Sequence, residues 1–267
     1  MKKKLLSLFL VGVLSIGLIS CTNKSNAGSA QTEKQNKAVE IYLVRHGKTM
    51  LNTTDRVQGW ADAPLTASGV EVAEYLGEGL KLEGVQFDAA YSSDSGRAVE
   101  TAKIVLTKSG QENLVINENA DLREVCFGDY EGELNPVFWN DIAIYNNTTM
   151  EEFMGNLDLE LFVNTNAKLD ETKGKIAEDW NTVSSRMKQG IDTIAQETEK
   201  NGGGKVMVVS HGMSLLTFLK TIAPEEFKDF KGNLSNASVT KIVYEDGKYT
   251  VETINDMSYV EKGKANK

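Results

Sequence analysis

Cysteine and histidine are scarce in this chain of 267 residues, with two of each. Two cysteines, Cys21 and Cys126, exclude a disulfide framework, so packing has to hold the fold together. Positive charge is also in deficit. Against 38 Asp and Glu stand 29 Lys and Arg, giving a net charge of −9 and a pI near 5.0. The resulting field repels polyphosphates, which argues against a nucleic-acid partner or an anionic-membrane surface. A small phosphorylated ligand needs only a local cationic pocket. There is no internal repeat, and the apolar run from Leu5 to Ile19 falls short of the ~20 residues that a membrane span needs. The length suits one α/β core with an inserted segment.

The N-terminus reads as a targeting segment. Lys2-Lys3-Lys4 is a positive leader to the apolar run, and Leu18-Ile19-Ser20-Cys21 ends it. Those four residues resemble the lipobox of bacterial lipoproteins, which implies a signal peptide over residues 1–20 and lipidation of Cys21. The alternatives are an ordinary signal peptide or an uncleaved anchor. Residues 21–38 are polar with almost nothing to bury and read as a flexible tether. The folded domain is expected over residues 39–267, outside the cytoplasm in the cell envelope and lipid-anchored to a bacterial membrane. Cys126 then has no intrachain partner.

Within that domain, apolar runs alternate with helical patterns. Ile41 to Val44 and Val206 to Val209 read as buried strands, and Phe87–Ser93 and Leu114–Ile116 as shorter ones. Val70, Ala73, Leu76 and Leu80 mark one helix; Ala98, Ala102, Val105 and Leu106 mark another that starts at Arg97. A longer helix is expected over residues 176–199, closed by Gly202-Gly203-Gly204. Asp246-Gly247 between two alternating runs signals a hairpin, and the Lys-rich tail after Val260 is expected to fray. The pattern predicts a three-layer α/β/α fold with a mainly parallel central sheet. Residues 126–178 break the rhythm. They read as an insertion of short helices, either capping the C-terminal ends of the strands or packing away from any ligand.

Both histidines end a buried strand, in Arg45-His46-Gly47 and Ser210-His211-Gly212. Strand ends of an open α/β sheet are its ligand edge, and two of them can bring both imidazoles to one site. A neutral imidazole attacks phosphorus when its other ring nitrogen donates to a carbonyl. The transferred group needs donors around its oxygens, and the planar fork of arginine suits this. Arg45, Arg97, Asn52 and His211 would form such a cradle. Glu124 could protonate the leaving alkoxide and then deprotonate the attacking water.

At this point a resemblance is evident. Arg45-His46-Gly47-Lys48-Thr49 with Asn52, Gln58-Gly59-Trp60, Asp62, Pro64-Leu65-Thr66 and Gly69 resemble the opening of the histidine phosphatase superfamily, the phosphoglycerate mutase-like proteins. Tyr91-Ser92-Ser93, Ser95-Arg97-Ala98 with Thr101-Ala102, Leu122-Arg123-Glu124 ahead of Gly128 and Glu131-Gly132, and Val209-Ser210-His211-Gly212 follow in order. The resemblance implies that His46 is phosphorylated and that Arg45, Arg97 and His211 bind phosphate. It further implies that Glu124 is the proton donor, that Asn52, Gln58 and Gly59 contact phosphate or substrate, and that neither a metal nor an organic cofactor is needed. It suggests hydrolysis over mutase chemistry, because mutases of the family carry a basic, aromatic run after the acid, where this chain has Val125, Cys126 and Phe127.

Other readings stay open. Glu118, Asp121, Asp129 or Glu131 could take the role of Glu124. Cys126 could be a nucleophile instead of a small buried hydrophobe, and two histidines with a carboxylate could bind a metal. Lys48 either lines the pocket or faces water. The expected activity is hydrolysis of small phosphomonoesters; a catalytically silent phospho-ligand-binding lipoprotein and a phosphoglycerate mutase are the rivals.

Overall fold

In the computed structural model, which describes residues 38–267 apart from 229 and 231, the chain forms six strands and ten α-helices among the described residues. In order these are β1 (Val39–Arg45), α1 (Met50–Thr53), α2 (Ala67–Leu82), β2 (Ala89–Ser92), α3 (Gly96–Ser109) and β3 (Ile116–Glu118). The insertion supplies α4 (Asn135–Tyr145), α5 (Met150–Gly155) and α6 (Leu159–Asp170). Then come α7 (Trp180–Lys200), β4 (Gly204–Ser210), α8 (Gly212–Ile222), α9 (Pro224–Phe227), β5 (Val239–Glu245), β6 (Lys248–Asp256) and α10 (Ser258–Ala265). The expected signal peptide and nearly all of the expected tether lie outside the described residues.

The sheet runs β3-β2-β4-β1-β5-β6. Strands β3, β2, β4 and β1 pair in parallel, and β5 and β6 add an antiparallel hairpin at the β1 edge. Side chains alternate between its faces, as a period of two requires. Ile41, Leu43, Val206 and Val208 join one apolar cluster; Tyr42, Val44, Met207 and Val209 join the other. The first cluster also holds Met187 and Ile191 of α7 and Leu215 and Phe218 of α8. The second holds Leu76 and Leu80 of α2, Ala102 and Val105 of α3, and Val260 of α10. The result is the expected three-layer α/β/α arrangement with a mostly parallel sheet.

Two local expectations are corrected. Residues 176–179 are not helical, because the Asp170 carboxylate gathers the N–H groups of Ile176 (2.7 Å) and Ala177 (2.9 Å) into a loop. The helix instead starts behind Asp179, whose side chain caps the Thr182 N–H at 2.8 Å. The tail after Val260 does not fray. It lies in α10, which packs on α2 backbone to backbone: a Cβ on Gly79 would stand 1.8 Å from the Tyr259 carbonyl oxygen, and one on Gly263 1.9 Å from that of Tyr75. Glycine at both positions permits a contact that any side chain would block.

Candidate active site

Parallel pairing of β1 with β4 sets Arg45 opposite Ser210, so the next residue of each strand, His46 and His211, emerges at the same edge. The two rings lie 5.2 Å apart, centroid to centroid, tilted by 58°. Both are buried. Strand β4 is inserted between β1 and β2, so the chain leaves β1 in one direction and β5 approaches it from the other. This is the kind of crossover point where open sheets bind ligands.

His46 is held from several sides. Its Nδ1 stands 2.8 Å from the Gly47 carbonyl oxygen. A carbonyl can only accept, so Nδ1 carries the proton and Nε2 keeps its lone pair. The His46 N–H donates to Ser210 O at 3.0 Å, and its carbonyl accepts from Asn236 Nδ2 at 2.9 Å. Gly47 N–H donates to Thr101 Oγ1 (3.0 Å), which donates in turn to the Arg97 carbonyl (2.7 Å), tying the first strand end to α3. Burial holds the imidazole well below its ordinary value, and the guanidinium groups of Arg97 and Arg45 push it further down. His211 is lowered in the same way, by burial first, then by Arg97, His46, Arg186 and Arg45. Both rings are therefore neutral near pH 7.

Arg97 is 1% exposed, and a buried guanidinium needs partners. Its Nη1 donates to Asp62 Oδ1 (2.9 Å) and Ala61 O (3.1 Å), and its Nη2 to Gly59 O (2.7 Å). Arg45 donates through Nη1 to Leu234 O. Each arginine keeps a buried Nε with no partner among the described residues, as do Nε2 of Gln58 and both ring nitrogens of His211. Orphaned buried polar atoms of this kind are costly and uncommon. His211 faces the His46 ring and Arg97 and Arg45 act on its charge, while Gln58 lines the cavity beside Arg45 and Glu124.

Glu124 is 5% exposed and sits under the N-terminus of α8. Its Oε1 accepts from Ser214 N (2.8 Å), Ser214 Oγ (2.9 Å) and Val125 N (2.9 Å), and its Oε2 from Met213 N (3.0 Å). Of the five carboxylates that the sequence left in contention, Glu124 alone lines the cavity that also holds Arg45 and Gln58. Glu118 is exposed and Asp129 pairs with Lys173. Glu131 is occupied elsewhere: it accepts the N–H groups of Gly59 (3.0 Å), Trp60 (2.8 Å), Ala61 (2.9 Å) and Phe127 (2.9 Å). It thereby sculpts the loop whose carbonyls hold Arg97.

Gln58 accepts from Thr49 Oγ1 at 2.5 Å and lines the cavity, as does Asn52, whose side chain caps α1. Gly59 offers no free N–H, since Glu131 takes it; its carbonyl orients Arg97 instead. Lys48 is exposed. Cys126 is 1% exposed and burial pushes its thiol up, the behaviour of a packed hydrophobe. Among the described residues no group of three His, Cys, Asp or Glu side chains is disposed to hold a metal ion.

Three contributors escaped the sequence. Asn236 and Leu234 belong to a polar loop before β5 that reads as an ordinary turn. Arg186 of α7 donates to the carbonyls of Asp121, Arg123 and Glu124 at 2.9, 2.7 and 2.9 Å while pairing with Glu178. Only its wide separation from residue 124 in the sequence hid it.

The profile of the histidine phosphatase superfamily (branch 1) matches residues 41–257. Among solved structures, the phosphoglycerate mutase of Bacillus anthracis is 46% identical with a TM-score of 0.81, covering 87% of this chain and 99% of that one. YhfR of Bacillus stearothermophilus is 28% identical with a TM-score of 0.62, covering 83% and 99%. The broad-specificity phosphatase YOR283W of Saccharomyces cerevisiae is 27% identical over 78% of this chain and 81% of its own length. A 2,3-bisphosphoglycerate-dependent phosphoglycerate mutase of Parvibaculum lavamentivorans is 42% identical over 34% of this chain. That match spans 44% of the relative's length, so the chain covers less than half of the first curated relatives.

Proposed function

Because the chain belongs to branch 1 of the histidine phosphatase superfamily, we propose that it hydrolyses small phosphomonoesters through a phosphohistidine at His46, without a metal ion. The observation that carries this is a histidine whose Nε2 is left free to attack, facing His211 and acted on by Arg97 and Arg45, each of which keeps a buried nitrogen without a partner among the described residues.

In the first step His46 Nε2 forms a bond to phosphorus as the bond to the leaving oxygen breaks. Glu124, in its acid form, gives that oxygen a proton. In the second step the Glu124 carboxylate takes a proton from water, whose oxygen displaces the imidazole and releases phosphate. The arginines and His211 stabilise charge on the equatorial oxygens throughout, where a water-poor site makes each donor worth more than in solution. Phosphate release from phenyl phosphate in the presence of EDTA tests the proposal. His46→Ala should abolish release, and full activity in that variant refutes it.

Phosphoglycerate mutase activity is the second reading, favoured by the 46% identity to the Bacillus anthracis enzyme. It requires transfer between two carbons of one substrate and dependence on a bisphosphate primer. Against it stands the wall after Glu124, where Val125, Cys126 and Phe127 are buried and apolar. Phosphate binding without turnover would favour the silent lipoprotein. The proposal extends to location: a domain tethered outside the cytoplasm through lipidated Cys21, supported by the leader, lipobox-like and polar segments of the sequence. Cys21→Ser should then abolish partitioning into detergent.

A further inference from the structure

The leaving-group side of the site has a chemistry of its own. Glu124 and Arg45 open onto a cavity of about 190 Å³, below the range usual for drug-sized ligands. Four rings of the insertion line it: Phe127, Phe138, Trp139 and Phe162. Trp139 stacks on Phe162 at 4.6 Å and 21°, and Phe138 meets Phe162 and Phe127 edge-on at 5.6 and 5.5 Å. Each ring is held by its neighbours, so the wall is preformed and pays little ordering cost when a ligand meets it.

Several polar groups on the rim are committed, and the unpartnered Arg45 Nε and Gln58 Nε2 are those assigned above to the phosphoryl group. Asn135 Nδ2 donates to Asp55 Oδ1 (2.8 Å), Arg56 Nη1 to Gly132 O (2.7 Å), and the side-chain oxygens of Asn52 and Gln58 accept from Thr49. A polyhydroxylated alcohol entering here would lose water without gaining equivalent partners. A flat apolar ring would need fewer such partners and gain contact with Trp139 and Phe127, which are backed by the buried Phe138 and Phe162. Arg56 has no acidic partner among the described residues, so a polar substituent on the outer edge of the ring is accommodated.

We propose that the preferred substrates are phosphomonoesters of small aromatic alcohols, with the ring against Trp139 and Phe127 and the ester oxygen at Glu124. This rests on the phosphatase reading above. Phosphonates separate binding from chemistry because their carbon–phosphorus bond is not cleaved by phosphoryl transfer to histidine. Calorimetric titration of the purified protein with inorganic phosphate, methylphosphonate and benzylphosphonate should show benzylphosphonate binding about tenfold or more tighter than methylphosphonate. Turnover should follow: kcat/KM for benzyl phosphate should exceed that for glycerol 3-phosphate, whose leaving alcohol is of similar acidity. Trp139→Ala should shrink both ratios, and Trp139→Leu, which keeps apolar volume, should shrink them less.

Equal affinity for the two phosphonates with phosphate still bound overturns this inference and leaves the phosphatase reading intact. Failure to bind phosphate and both phosphonates overturns the reading itself. A benzyl preference that survives in both Trp139 variants places the ring elsewhere and also overturns the inference.

Discussion

Mild acid should destabilise this protein through its two histidines, and the amount follows from where they sit. Both imidazoles are buried beside Arg45 and Arg97, and both are held well below their ordinary value, so in the fold they stay neutral as pH falls. In the unfolded chain each titrates near pH 6.5. Between the two values the unfolded state binds more protons, so stability falls as pH drops below the unfolded value. From pH 7.5 to 5.5 each histidine that remains neutral in the fold removes about 1.4 kcal/mol, and the pair about 2.7 kcal/mol. Carboxylates titrate mostly below this window, so they add little. Urea unfolding at the two pH values should show this loss, and a variant carrying His46→Asn and His211→Asn should lose much less. An equal loss in the wild type and the double variant would refute the assignment of neutral, buried rings.

Four further outcomes are expected. Arg97→Lys leaves the carbonyls of Gly59 and Ala61 short of donors and removes the planar fork, so kcat/KM should fall by about 100-fold or more; a fall of less than about threefold would contradict the phosphate-binding role. Glu131→Gln turns an amide donor towards backbone N–H groups now accepted by a carboxylate, costing about 2 kcal/mol in urea unfolding. Glu124→Gln should slow alkyl phosphates far more than aryl phosphates, because a good leaving group needs less proton donation; equal slowing would remove Glu124 from that step. Gly79→Ala should detach α10 from α2 and lower the melting temperature, which a thermal scan measures.

The sequence made the sheet and the central pair of histidines legible because both obey local rules. Alternation along residues 39–45 and 204–210 fixes which side chains go to each face, and a glycine after each histidine marks the strand end. What escaped depends on contacts between residues far apart in the chain. The Lys-rich residues 258–265 carry little apolar signal, and α10 is held by a backbone approach that only paired glycines allow. Ile176 looked like part of a helix face until Asp170 drew its N–H into a loop. Glu131 resembled a rival acid, and nothing local reveals that four backbone N–H groups converge on it. The insertion was legible as short helices. That its rings reach the cavity beside Glu124 emerges only from packing.

The central claim is that His46 Nε2 takes the phosphoryl group. Rapid acid-free quenching of the protein during turnover of a ³²P-labelled phosphomonoester, followed by peptide mapping, tests it directly. The account predicts acid-labile, base-stable label on the peptide that contains His46, and none in His46→Ala. Label on a serine, a cysteine or His211, or turnover without any labelled intermediate, would contradict it.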